Sequence, residues 1–132
     1  MNSVDKQLMT VAEANKRLPL VRAIVADITK HAQQLNERQE RFDDEKTRRG
    51  QDQPERDLEL SREMERLEDL IDELNQINVE LRDPIPGHVD FPAMLDGRRV
   101  NLCWVPGEDE VGHWHETDGS FADRRSLLET AS

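Results

Sequence analysis

The sequence predicts an α+β fold, in which a long antiparallel helical hairpin carries a three-stranded antiparallel meander at its C-terminal end. Three observations lead there. Apolar residues recur at helical spacing in two successive segments. A stretch punctuated by glycine and proline, with strand-like alternation, follows them. The composition, 35% hydrophobic against 36% charged over 132 residues, suits a thin core in one elongated domain better than a thick globular one.

Thr10-Val11-Ala12-Glu13 has the spacing of a capping box, in which the threonine hydroxyl accepts from the amide three residues on and the glutamate reaches back. A helix is expected from there. Pro19 lacks the amide that a helix interior needs, so a short first helix over residues 10–17 and a break or kink at Leu18-Pro19 are expected. A long amphipathic helix then runs over residues 19–48. Val21, Ile28, Leu35 and Phe42 stand seven apart, with Ile24, Val25 and Ala32 on the same stripe. Arg49-Gly50-Gln51-Asp52-Gln53-Pro54 supplies the connecting loop.

The second helix, residues 55–82, repeats the pattern with Leu60, Leu67, Leu74 and Leu81 seven apart and Met64, Leu70, Ile71 and Ile77 beside them. Each helix would be roughly 40 Å long at about 1.5 Å per residue, more than so small a domain covers. Apolar surface is therefore expected to emerge near the tip, where a coiled-coil contact with a second copy, as a homodimer, or with a helical protein partner would bury it. Asp83-Pro84-Ile85-Pro86-Gly87 is expected to stop this helix, because neither proline donates and glycine permits a sharp turn.

Residues 88–116 form the small β unit. Asp96-Gly97 is a strong hairpin dipeptide between two strands, and Val100, Leu102 and Trp104 alternate as a buried face should, matched by Val89, Phe91 and Leu95. Pro92 places the first strand at an edge or a bulge. A third strand covers residues 111–116, and its core is expected to contain Phe91, Leu102, Trp104 and Trp114. Residues 117–132 read as a C-terminal tail with a weak helix at its end.

The net charge of −11 and the scattered basic residues argue against nucleic acid as a partner, and Lys46-Thr47-Arg48-Arg49 and Arg98-Arg99 read as solvated charges. One cysteine, Cys103, permits no internal disulfide and signals no oxidising compartment. The first residues lack the apolar run of a signal peptide, and no later run is long enough to cross a bilayer. A cytoplasmic protein without a membrane partner is expected.

The segment Gly107-Glu108-Asp109-Glu110-Val111-Gly112-His113-Trp114-His115-Glu116 crowds histidines, carboxylates and an indole together. On a strand, His113 and His115 project to one face and Trp114 and Glu116 to the other. Two imidazoles with a carboxylate from Glu108, Asp109 or Asp118 suit a divalent metal such as zinc, and Glu116 joins Glu108 as a candidate ligand or base for a metal-dependent hydrolase. The structural alternative weighs more: Trp104 and Trp114 close the core, and His115 donates to a backbone carbonyl or a nearby carboxylate. Arg124-Arg125 are candidates for clamping an anion, although pairing of Arg124 with a carboxylate is favoured. Cys103 lies opposite in strand phase to Leu102 and Trp104 and has no close basic neighbour, which disfavours a nucleophile. No catalytic residue is identified.

Val89-Asp90-Phe91-Pro92-Ala93, Leu102-Cys103-Trp104, Gly107-Glu108, Trp114-His115-Glu116, Gly119-Ser120-Phe121-Ala122 and Arg124 resemble an uncharacterised bacterial family, one of the domains of unknown function. The family's opening Thr-x-x-Glu-Ala-Asn-x-x-Leu-Pro-Leu-Val-Arg pattern falls on residues 10–22. The resemblance implies a shared fold and no particular activity. Two positions depart from the family pattern: His113 stands where an aromatic residue, usually tyrosine, is favoured, and Asp123 where glycine is favoured. The resemblance therefore favours Trp114-His115-Glu116 and Arg124 over a two-histidine metal site for any shared role. The expected function is that of a non-enzymatic interaction or assembly protein. The alternatives are a metal-binding protein or hydrolase and an anion- or metabolite-binding regulator.

Overall fold

The structure, a computed structural model, is described for residues 8–49 and 54–130. Two long helices, α1 (Val11–Arg49) and α2 (Pro54–Gln76), lead into five strands and a short last helix. The strands are β1 (Glu80–Asp83), β2 (His88–Leu95), β3 (Arg98–Trp104), β4 (His113–Glu116) and β5 (Arg125–Ser126). A 3₁₀ turn over Phe121–Asp123 precedes β5, and α3 (Leu127–Thr130) follows it. The sheet is an antiparallel meander in the order β1-β2-β3-β4-β5. The α+β class holds, with five strands where three were expected. Among the described residues no helix is long and apolar enough to cross a membrane.

The capping box forms as expected: Glu13 N donates to Thr10 Oγ1 at 3.1 Å and Thr10 N to Glu13 Oε1 at 3.0 Å. These bonds hold the Glu13 carboxyl below its ordinary range. The break at Pro19 does not form, and α1 runs through it. Pro19 is exposed while Leu18 and Val21 beside it are buried, so packing grips the helix on one side and the proline ring stands on the other. Uninterrupted, the helix spans roughly 58 Å. Its stripe of Val21, Val25, Ile28, Ala32 and Leu35 is buried, while the Phe42 side chain and loop residues 50–53 lie outside the described residues.

The second helix ends six residues earlier than the leucine spacing predicts. Asn78 adopts φ 64°, its amide donates to Asn75 O, and the Val79 amide donates to Leu74 O, both at 3.0 Å. This is a Schellman stop with asparagine in the left-handed position, sealed by the buried pair Leu74 and Val79. Leu81 thereby passes from the helical stripe into β1, and the Pro84-Ile85-Pro86-Gly87 segment becomes the β1–β2 turn rather than a helix stop. Thr29 Oγ1 donates to Pro84 O at 2.9 Å, docking that turn on α1. Gly87, at φ 106°, is required there, because a Cβ would lie 2.6 Å from Val25 Cγ1.

The Asp96-Gly97 hairpin forms with both residues at positive φ, 52° and 77°. Pro92 sits in the half of β2 that β1 does not reach, where Met9 approaches: Met9 N donates to Pro92 O and Met94 N to Met9 O, each at 3.0 Å. The missing proline amide therefore faces a nearly bare edge. Val89, Phe91, Ala93, Val100, Leu102, Trp104 and Trp114 form one apolar cluster with residues of α1 and α2. The chain end expected to be a tail is partly built into the sheet through β5, which pairs with β4; residues 131 and 132 lie outside the described residues.

Candidate functional site

Strand alternation that sends Val89, Phe91, Leu102, Trp104 and Trp114 toward the helices sends Asp90, Cys103, His113 and His115 to the other face. Register aligns them: Asp90 opposes Cys103, and Cys103 opposes His113. Antiparallel sheets commonly leave such a face to water. Here Asp90, Cys103 and His115 are only 2%, 2% and 3% exposed.

His115 is held at both ring nitrogens, Nδ1 lying 2.7 Å from Glu116 O and Nε2 3.0 Å from Asp90 Oδ1. A backbone carbonyl and a carboxylate oxygen thus fix the ring's orientation from both ends. Asp90 completes its pairing through Oδ2, which accepts from Arg82 Nε at 2.7 Å, and Arg82 Nη2 lies 3.1 Å from Glu80 Oε2. Asp90 is thus shared by His115 and Arg82, and Arg82 by Asp90 and Glu80. Removing Asp90 leaves the buried His115 ring without its carboxylate partner.

A second group stands beside the first. Glu108 accepts from the Val105 amide at 3.0 Å and from both terminal nitrogens of Arg124, whose Nη1 also lies 3.5 Å from Cys103 Sγ. Burial works against the Arg124 charge, and the hydrogen bonds to Glu108 and Cys103 outweigh it, so the guanidinium is held above its ordinary range. Burial raises the Cys103 thiol in spite of that arginine, leaving it a protonated, poor nucleophile at neutral pH. His113 Nδ1 lies 3.3 Å from Glu108 Oε2 without hydrogen-bond geometry.

Helix α1 positions the loop that carries Glu108. Val111 N donates to Asn15 Oδ1 at 2.7 Å, Arg22 Nη2 donates to Asp109 O at 2.8 Å, and Trp104 Nε1 donates to Glu108 O at 2.9 Å. The 3₁₀ turn lies over the polar face. Ser120 N donates to Asp123 Oδ2 at 3.0 Å, and Phe121 is sandwiched between the His88 ring, at 3.9 Å, and the Arg124 guanidinium, at 4.5 Å. A cavity of about 230 Å³ remains between this turn and the strands, with Arg82, His88, Asp90, Cys103, His115 and Phe121 in its wall.

The residues named from the sequence are only partly gathered here. His113 and His115 share a face as expected, but the two rings have different partners, Glu108 and Asp90. Glu116 leaves the group altogether and pairs with Arg98. Among the described residues no group of three or more His, Cys, Asp or Glu side chains is placed to hold a metal ion. Arg124 is neutralised by Glu108, and Arg125 lies over the Trp114 ring at 5.6 Å, so the two arginines do not converge. The basic neighbour that sequence reading denied to Cys103 is Arg124, brought back by the turn at Phe121–Asp123.

Asp90 and Arg82 were not singled out from the sequence as site residues. Asp90 carried a legible signal, a carboxylate between Val89 and Phe91 in the middle of an apolar strand. Arg82 carried none, since it reads as part of the second helix.

A family model described as "Uncharacterized conserved protein (DUF2203)" matches residues 7–127. A comparison with curated proteins finds no match, and neither does one with solved structures.

Proposed function

The chain belongs to this uncharacterised family, DUF2203, and we propose that it works as a non-enzymatic assembly protein whose helical hairpin pairs with that of a second copy. The observation that carries this reading is the loss of cover along α2. Leu74 and Leu70 are buried, Leu67 and Leu60 are half-buried, and Met64 and Leu58 are 54% and 52% exposed. On the stripe itself Met64 is open to water between half-buried Leu60 and Leu67, and Leu58 is open on another side of the helix; exposed methionine beside an apolar helix stripe favours a helical partner.

Charge supports a second copy as that partner. Helix α2 carries nine acidic against three basic side chains, whereas α1 carries nine basic against seven acidic. An α1 from another copy laid along the open face of α2 meets charge of opposite sign, which favours that pairing over α2 against α2.

Sedimentation velocity over a concentration series tests the reading. A dimer is expected for the wild type, and a monomer for the double variant Leu58→Glu, Met64→Glu. The double variant should retain the wild-type circular dichroism, because both positions are exposed. A wild type that stays monomeric at its highest soluble concentration, or a double variant that dimerises as well as the parent, overturns it.

A further inference from the structure

We propose that the cavity under Phe121 is a binding site for a small, uncharged, planar ligand carrying an amide or lactam, with the amide N–H on Asp90 and its carbonyl oxygen on Arg82. The site is independent of the helical contact proposed above.

Size, charge and hydrogen-bonding inventory together select this class. At about 230 Å³, against about 30 Å³ for each water in the liquid, the space takes a molecule of about 8 to 10 non-hydrogen atoms. Its ionic groups are already engaged with one another: Asp90 with Arg82 and His115 and Arg82 with Glu80 at one end, Arg124 with Glu108 at the other. A charged ligand would bring a further charge against the buried part of the wall, Asp90, Cys103 and His115. A neutral ligand carries no such penalty.

The polar groups in the wall ask for a donor and an acceptor side by side. Each Asp90 oxygen is engaged by one partner, Oδ2 by Arg82 and Oδ1 by His115, and retains a second acceptor site. Arg82 contributes N–H groups beyond the two directed at Asp90 and Glu80, and its side chain is 49% exposed. A carboxylate beside a guanidinium therefore presents an acceptor next to a donor, the complement of an amide edge. The rest of the wall is Cys103, with its protonated thiol, the His115 ring, Gly119, Ser120 and the stacked pair His88 and Phe121, which leaves room for a flat, mostly apolar body. The 3₁₀ turn supplies the cover, and Phe121 is held in place from both sides by His88 and Arg124.

Three probes of nearly one size and different charge test the proposal: benzamide, benzoate and benzamidinium. They are titrated into the full ¹⁵N-labelled chain and followed by amide chemical shifts. Benzamide is expected to shift the signals of Asp90, Cys103, His115 and Phe121 saturably, with each charged analogue binding at least roughly tenfold more weakly. Phe121→Ala, at a residue 40% exposed and outside the core, is expected to fold and to weaken benzamide roughly tenfold. The proposal is overturned if no probe shifts those four signals, if benzoate or benzamidinium binds as tightly as benzamide, or if Phe121→Ala leaves benzamide affinity unchanged.

Discussion

The centres of the two faces of the sheet are both buried, by different physics. Toward the helices, Val89, Phe91, Leu102, Trp104 and Trp114 exclude water by apolar contact, which is non-directional and tolerant of shape as long as volume is kept. On the opposite face Asp90, His115 and Cys103 are equally hidden, yet held by a chain of directed contacts that includes Arg82, Glu108 and Arg124. The first face answers to how much is removed. The second answers to which partner is left behind.

Substitutions that remove bulk and substitutions that remove partners sharpen this contrast. The largest effect is expected for Trp104→Ala, whose cavity under α1 should cost about 3–5 kcal/mol in urea unfolding. Asp90→Ala removes far fewer atoms but leaves the buried His115 without its carboxylate and Arg82 with Glu80 alone, and a loss of about 3–5 kcal/mol is expected as well. The double variant Asp90→Leu, His115→Leu should be less destabilised than Asp90→Ala alone, because it removes both buried polar partners together. A double variant that is the worse of the two would mean that the polar face obeys the same rules as the apolar one.

A smaller effect is expected for Arg124→Met. This change frees Glu108 and unseats Phe121, at about 1.5–3 kcal/mol for a partly buried charged hydrogen bond. Equal stability of parent and variant would remove Glu108 and Arg124 from the contrast.

The smallest effect concerns Cys103. Burial raises its thiol above the ordinary value of 9.0, so the folded chain keeps a proton that the unfolded chain gives up first. The stabilisation it contributes is present below that pH and is lost as pH rises through the folded value. Wild type should therefore lose stability faster than Cys103→Ala as pH rises above about 9. Disulfide-exchange reagents should modify the native thiol more slowly than the denatured one at neutral pH. Parallel alkaline profiles, or rapid native labelling, would show the thiol exposed to solvent.

Much of the fold was legible because its signals are local. The capping box at Thr10, the Asp96-Gly97 hairpin and the alternation of Val100, Leu102 and Trp104 all depend on neighbours within a few residues. Pro19 and Leu81 misled for one shared reason. A proline on the solvent side of a gripped helix is tolerated, and a leucine at heptad spacing leaves the stripe once Asn78 turns left-handed; in both places tertiary contacts outweigh local preference. Strand β5, two residues long, has too little sequence of its own to announce itself.

The candidate site was half legible. His113, His115, Glu108 and Arg124 were found by their chemistry and their crowding along the chain, but their partners were not. His115 pairs with Asp90, 25 residues away, and Arg124 with Glu108, 16 residues away.

By itself the sequence determined the helical hairpin, the hairpin of strands, the apolar face of the sheet and membership of an uncharacterised family, since each rests on periodicity or motif within a short span. Tertiary structure alone decided that the centre of the opposite face is buried too, that the histidines part to different carboxylates, and that Phe121 stands in the wall of a cavity beside Asp90. Strand register and the fold-back of the C-terminal turn made those choices, and both bring together residues far apart in the chain, where periodicity and spacing carry no information.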